Sequence, residues 1–166
     1  MEFVCEAVAA THDLSAFACG NDNLDRWLQV SARDSDGRDI TRTYVFHRRD
    51  NVVVAYYALM PYFIERDTLT SKQGRGLPDR VPAYLITKLA LASTLHGQRL
   101  GSQVLASAVL RAATAARETG GRFIVVDAID EAAASFYSHH GFETIDGHPD
   151  RLILRTKGVE AHLPSV

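Results

Sequence analysis

Leu24, Trp27, Leu28 and Ala32 recur at i, i+3, i+4 and i+8, with Asp25, Arg26, Arg33 and Asp34 between and beyond them. That spacing predicts an amphipathic helix with one buried stripe, closing near Asp36-Gly37. Before it, Glu2 to Val8 reads as an edge strand. After it, "TRTYVFHRRDNVVVAYYALMPYF" holds two runs of β-branched and aromatic residues around Asp50-Asn51, the pattern of a hairpin with a long second arm. Large apolar residues thin out over Glu65 to Arg80, which predicts an exposed, mobile connection. Core character returns in the strand Ala83 to Leu91. From Leu100 on, Val104, Leu105, Ala108, Val109, Ala112 and Ala116 give a helix with a small-residue apolar face, stopped by Gly120-Gly121. "FIVVDAI" is nearly all apolar, as a strand covered on both faces is, and Asp130 is placed to cap the helix "EAAASFYSHH", which ends at Gly141. Two short β runs, "FETI" and "RLILRT", complete a mixed α/β domain around one sheet.

The totals narrow this picture. With 166 residues and 46% apolar content, one compact domain over residues 1–157 is expected, followed by a loose tail at 158–166. Eighteen Lys and Arg against twenty Asp and Glu leave a net charge of -2, which lacks the overall positive field of an obligate nucleic-acid binder. Any RNA contact must therefore come from a local patch. Cys5 and Cys19 are too few for a disulfide framework, and no Cys/His group shows zinc spacing, so a reducing cytoplasm fits best. The N-terminus has no basic leader, and the longest apolar stretch, Val52 to Pro61, is too short to span a bilayer.

Two stretches carry chemistry. In "HGQRLGSQVL", Gly97 and Gly101 flank Arg99 between a strand and a helix. The first turn of a helix has unpartnered N–H groups and a partial positive charge, which suits a diphosphate. Gly97 can take positive φ, Gly101 presents no side chain, and Arg99 can add a charge-assisted contact. A tight turn with no ligand accounts for the same two glycines. In "DEAAASFYSHHGF", Phe136 and Tyr137 follow the buried strand. Parallel neighbours would bring both motifs to one crevice, where a phenol can donate a proton to a thiolate leaving group. A tyrosine packing its ring in the core with its hydroxyl outward is the other reading.

Together these residues resemble the GNAT family of N-acetyltransferases, whose phosphate-binding signature runs Arg/Gln-x-x-Gly-x-Gly/Ala. The aligned run is His96-Gly97-Gln98-Arg99-Leu100-Gly101, with His96 in place of Arg/Gln and Arg99 where glycine is usual. A side chain at Arg99 is tolerable there if its φ stays negative and it points outward. The order of "FACGNDNLDRWL", "TRTYV", "VVAYYAL", "KLAL", "HGQRLG" and "FYSHHGF" further resembles the acetyltransferase toxins of bacterial toxin-antitoxin pairs, over nearly the whole chain. The resemblance implies the GNAT fold, α/β (α+β), a single mixed, mostly antiparallel twisted sheet with flanking helices. It also implies acetyl-coenzyme A as donor, the α-amine of an aminoacyl-tRNA as acceptor, a block on translation, a ribbon-helix-helix antitoxin and a homodimer. It places the general acid on Tyr137. Donor contacts fall on Leu89, Ala90, Leu91, His96, Gly97, Gln98, Arg99, Leu100, Gly101, Ser102, Ala133 and Phe136.

The remaining features are less specific. Arg66, Lys72, Arg75, Arg80 and Lys88, diluted by Glu65, Asp67 and Asp79, form a candidate RNA patch that Arg42, Arg48 and Arg49 could extend. Of these, Arg42, Arg75, Arg80 and Lys88 are the expected tRNA contacts. A solvated loop explains the charges equally well. No metal is expected: His139 and His140, adjacent on a helix, diverge by about 100°. Asp127 and Glu131 are candidate water-positioning residues, and Trp27 reads as a core anchor. Two other functions compete with the toxin: an acetyltransferase for small amines or protein amino groups, and a non-catalytic acyl-coenzyme A-binding module.

Overall fold

A computed structural model describes residues 2–159. Its strands are β1 (Val4–Ala7), β2 (Arg42–His47), β3 (Ala55–Glu65), β4 (Arg80–Leu91), β5 (Phe123–Asp127), β6 (Glu143–Thr144) and β7 (Arg151–Arg155). They form a seven-stranded sheet in the order β1-β2-β3-β4-β5-β7-β6. β1 with β2, β2 with β3, β5 with β7 and β6 with β7 pair antiparallel, while β4 and β5 run parallel over Ala83–Ile86 and Phe123–Val126. The sheet is thus mixed and mostly antiparallel, as expected. The chain divides into two compact units: residues up to Met60 with Thr87–Ala108, and Pro61–Ile86 with residues from Val109 onward.

In the first unit, the predicted amphipathic helix forms in three parts: α1 (Asp22–Arg26), a π-helical turn (Trp27–Ser31) and α2 (Ala32–Gly37). Asn21 caps it by accepting from the Leu24 N–H at 3.1 Å. Leu28 and Ala32 are fully buried, and Leu24 and Trp27 pack at the rim of the same cluster, with Tyr56 and Ala90. The hairpin turns at Arg49 and Asn51, both at positive φ, and its second arm is the eleven-residue β3.

In the second unit, residues 65–80 differ from expectation. The segment is built, not a plain connection: a 3-10 turn (Arg66–Thr68) is followed by α3 (Ser71–Gly74), which opens on a reciprocal capping box between Thr70 and Gln73. The Thr68 carbonyl accepts from the N–H groups of Asp146 and Gly147, and the Gln73 side chain donates to the Thr144 carbonyl. A Cβ at Gly147 would lie 2.6 Å from the Thr68 Cβ, so only glycine fits that approach. The scarcity of large apolar groups was misleading because this segment is held by backbone hydrogen bonds.

α4 (Leu100–Thr119) stops at Gly120, and Asp130 caps α5 (Glu131–His139) through the Ala133 N–H at 2.8 Å. Val159 is fully buried; the rest of the expected tail, 160–166, lies outside the described residues.

Candidate active site

The glycine corner lies in the first unit. β4 ends at Leu91, and a 3-10 turn (Ser93–Leu95) leads to His96, whose Nε2 donates to the Leu91 carbonyl at 2.8 Å. That bond folds the corner back onto the strand end. Gly97 then takes φ 81° and Arg99 φ 61°, with α4 beginning at Leu100. The condition of a negative φ at Arg99 is therefore not met. Residues of alternating φ sign turn successive N–H groups toward one concavity, the arrangement that cradles anions. It runs directly into the N-terminus of a twenty-residue helix, whose first-turn amides and partial positive charge add to it. Positive φ at a residue with a Cβ is unfavourable, so a residue usually glycine in the family here supplies strain along with charge. The Arg99 side chain is exposed and makes no ion pair or hydrogen bond among the described residues. A Cβ at Gly97 would meet nothing within 4 Å, so the glycine there serves conformation, not space. Leu89 and Leu91 are half-buried and Ala90 is buried.

Tyr137 lies in the second unit, on α5, 8% exposed, its ring 5.5 Å from Phe136 and 5.6 Å from Phe142. Burial, and secondarily the charge of Asp127, push its phenol up to about 12. Its hydroxyl has no hydrogen-bond partner among the described residues. It is therefore protonated at neutral pH and uncommitted. Ala133 and Phe136 are half-buried on the same helix, and the Ala133 N–H is already taken by Asp130.

Asp127, expected to position water, instead receives Arg151 on both oxygens, at 2.7 and 2.9 Å. The same guanidinium donates to the Tyr62 hydroxyl at 2.7 Å. Asp127 and Arg151 are direct partners in the β5–β7 register, a relation that a separation of twenty-four positions conceals in the sequence.

The candidate RNA cations are mostly engaged. Arg66 bonds Asp79 at 2.6 Å, Arg80 lies 3.7 Å from Glu65 and over the Phe63 ring, and Arg42 bonds Asp39 at 2.6 Å. Lys88 lies over the Trp27 ring. Lys72 and Arg75 are exposed and unpaired among the described residues, and Arg75 helps line a polar cleft of about 440 Å³ with Arg66, Thr70 and Gly76.

One cluster escaped the sequence reading because its members span forty-one positions. Glu6 Oε1 lies 2.8 Å from His12 Nε2 and 2.7 Å from His47 Nε2, both rings buried. Three such groups invite a metal. However, Nδ1 of His12 accepts from the Ala9 N–H, and Nδ1 of His47 from the Arg49 N–H, so each ring carries its proton on Nε2, facing Glu6. A ligating imidazole needs the opposite arrangement. The cluster is a clasp between strand, loop and hairpin, and the two donated bonds hold the Glu6 carboxyl below its ordinary range.

No family model matches the chain. A tRNA-acetylating toxin of Mycobacterium tuberculosis (strain ATCC 25618 / H37Rv) is 32% identical over 154 residues, 93% of this chain and 92% of that protein. The solved structure of AtaT complexed with acetyl-methionyl-tRNAfMet superposes with a TM-score of 0.90 at 26% identity, over 96% of this chain and 98% of that one. A tyrosine-to-phenylalanine mutant of AtaT, bound to the C-terminus of the antitoxin AtaR and acetyl-CoA, gives 0.82 at 26%, over 97% of each chain. The corner, the capped helix and these likenesses agree: the chain belongs to the family of tRNA-acetylating GNAT toxins.

Proposed function

We propose that this protein transfers the acetyl group of acetyl-coenzyme A to the α-amine of an aminoacyl-tRNA, and so blocks translation. The observation that carries it is the alternation of φ sign at Gly97 and Arg99 ahead of α4, a diphosphate cradle made of backbone. In this reading the amides from Gly97 to Ser102 and the Arg99 guanidinium hold the diphosphate, and His96 holds the corner to Leu91. The end of β4, Leu89 to Leu91, pairs with the pantetheine arm and steadies the oxyanion formed as the amine adds to the thioester. The α-amine of an aminoacyl ester is less basic than a free amino terminus, near pKa 8, so it attacks largely in neutral form and needs no dedicated base. As the tetrahedral intermediate collapses, the carbon–sulfur bond breaks and Tyr137 gives its proton to the departing sulfur. Burial disfavours the phenolate left behind, so the proton lost by the new amide nitrogen restores Tyr137 in the same turnover. A ribbon-helix-helix antitoxin and a homodimer belong to this reading; the AtaT structure that holds an antitoxin C-terminus supports an antitoxin as partner.

Incubation with labelled acetyl-coenzyme A and a pool of charged tRNAs, followed by mass spectrometry, tests it. Label on an aminoacyl α-amine is the expected result. Label confined to polyamines or protein amino groups moves the protein to another acceptor class.

A further inference from the structure

The chain has a single tryptophan, and it opens the π-helical turn, closed by the Ala32 N–H donating to the Trp27 carbonyl. Such turns re-aim side chains and recur at functional sites. Leu28 and Ala32, from the same predicted stripe, are fully buried, whereas Trp27 stays half exposed. Its ring lies nearly parallel to Tyr56, 11° apart with centroids at 6.0 Å, and Tyr56 is itself fixed by donating to the Leu24 carbonyl at 2.7 Å. The Lys88 ammonium stands 5.5 Å from the indole centroid and makes no ion pair among the described residues. Lys88 immediately precedes Leu89–Leu91 and shares a strand face with Ala90, which packs in the cluster that Trp27 rims.

We infer that Trp27 and Lys88 form the subsite for the 3′-terminal nucleotide of the acceptor tRNA, the indole stacking its adenine and the ammonium meeting the phosphate on its 5′ side. The inference rests on the proposed function. Any base offers a π face to a rigid aromatic platform, and Tyr56 supplies the backing that keeps this one rigid. A lysine on a flexible stem can leave the ring for a phosphate, exchanging a cation–π contact for a charge-assisted bond. Strand geometry sets the reach. Lys88 lies about 3 to 10 Å along β4 from the residues proposed to steady the thioester, at about 3.3 Å per residue. That span is the scale of a single nucleotide, from the amine carried on its 3′ side to the phosphate on its 5′ side.

Because no other tryptophan contributes, the fluorescence of the native protein reports on position 27 alone. Titration with uncharged tRNA should change it, and tRNA trimmed of its terminal adenosine should not. Equal changes with both, or none with intact tRNA from a protein that acetylates charged tRNA, overturn the inference while leaving the function standing. A protein that acetylates no charged tRNA removes the function itself. Lys88→Met should keep the fluorescence change and lower the slope of log affinity against log salt by about one. An unchanged slope removes Lys88 from the subsite. Trp27→Leu should raise KM for aminoacyl-tRNA by about tenfold or more with a smaller effect on kcat; a fall in kcat alone at constant KM contradicts a binding role.

Discussion

Tyr56 and Tyr137 are both buried phenols, one in each unit, and burial pushes the ionisation of both upward. They differ in what the hydroxyl does. That of Tyr56 donates to the Leu24 carbonyl, whereas that of Tyr137 is uncommitted among the described residues. Burial alone thus distinguishes nothing; an unspent donor in a dry setting is what makes a phenol available to a substrate.

The sharpest way to break the comparison is to remove each hydroxyl. Tyr137→Phe should lower kcat by about 10²–10⁴-fold while calorimetry shows acetyl-coenzyme A binding intact. Tyr56→Phe should retain most of kcat and instead lose about 0.5–1.5 kcal/mol of stability with its bond to the Leu24 carbonyl, which keeps the Trp27 N–H as a donor. Reversed outcomes would exchange the two assignments.

Next in size is the donor cradle. Gly101→Asp puts a carboxylate in the first turn of α4, which favours the helix and repels a diphosphate. The variant should fold at least as well as the native protein and give no calorimetric heat with acetyl-coenzyme A; native affinity would place the donor elsewhere. Arg99→Gly should raise stability by about 1 kcal/mol, by relieving the φ of 61° at a residue with a Cβ. In the same variant, donor affinity should weaken several-fold with the lost guanidinium.

The smallest effects are in pH. Tyr137 is raised from 10.0 to about 12, so between those values the unfolded phenol ionises first and stability falls with rising pH. Tyr137→Phe should flatten that alkaline slope in denaturant titrations. Glu6 is lowered from 4.5, so its contribution is complete above that value and is lost as pH falls through the folded-state value. Glu6→Gln should flatten the acid limb.

Much of this was legible in the residues. Period-3.6 and period-2 patterns with turn residues at their ends gave the hairpin, α4, α5 and its Asp130 cap, because local rules and tertiary packing agree there. The reciprocal box at Thr70 and Gln73 was also visible as a Thr-x-x-Gln spacing, and was missed because the flanking residues lack bulk. Other features were hidden for physical reasons. A π turn changes the helical phase by a single residue, too little to disturb the stripe from Leu24 to Ala32. The positive φ of Arg99 is imposed by its surroundings against intrinsic preference. The Asp127–Arg151 pairing and the Glu6 clasp depend on sheet register, which composition does not specify.

The approach of Thr68 to Gly147 has a practical side. Gly147→Ala would drive a methyl group into the Thr68 side chain at 2.6 Å, and so wedge the 65–75 segment off the chain that follows β6. In the proposed function the protein blocks translation in the cell that makes it, which makes it hard to produce. An allele that assembles in the cold and comes apart at growth temperature, scored by colony survival at the two settings, would give the experimenter a thermostat.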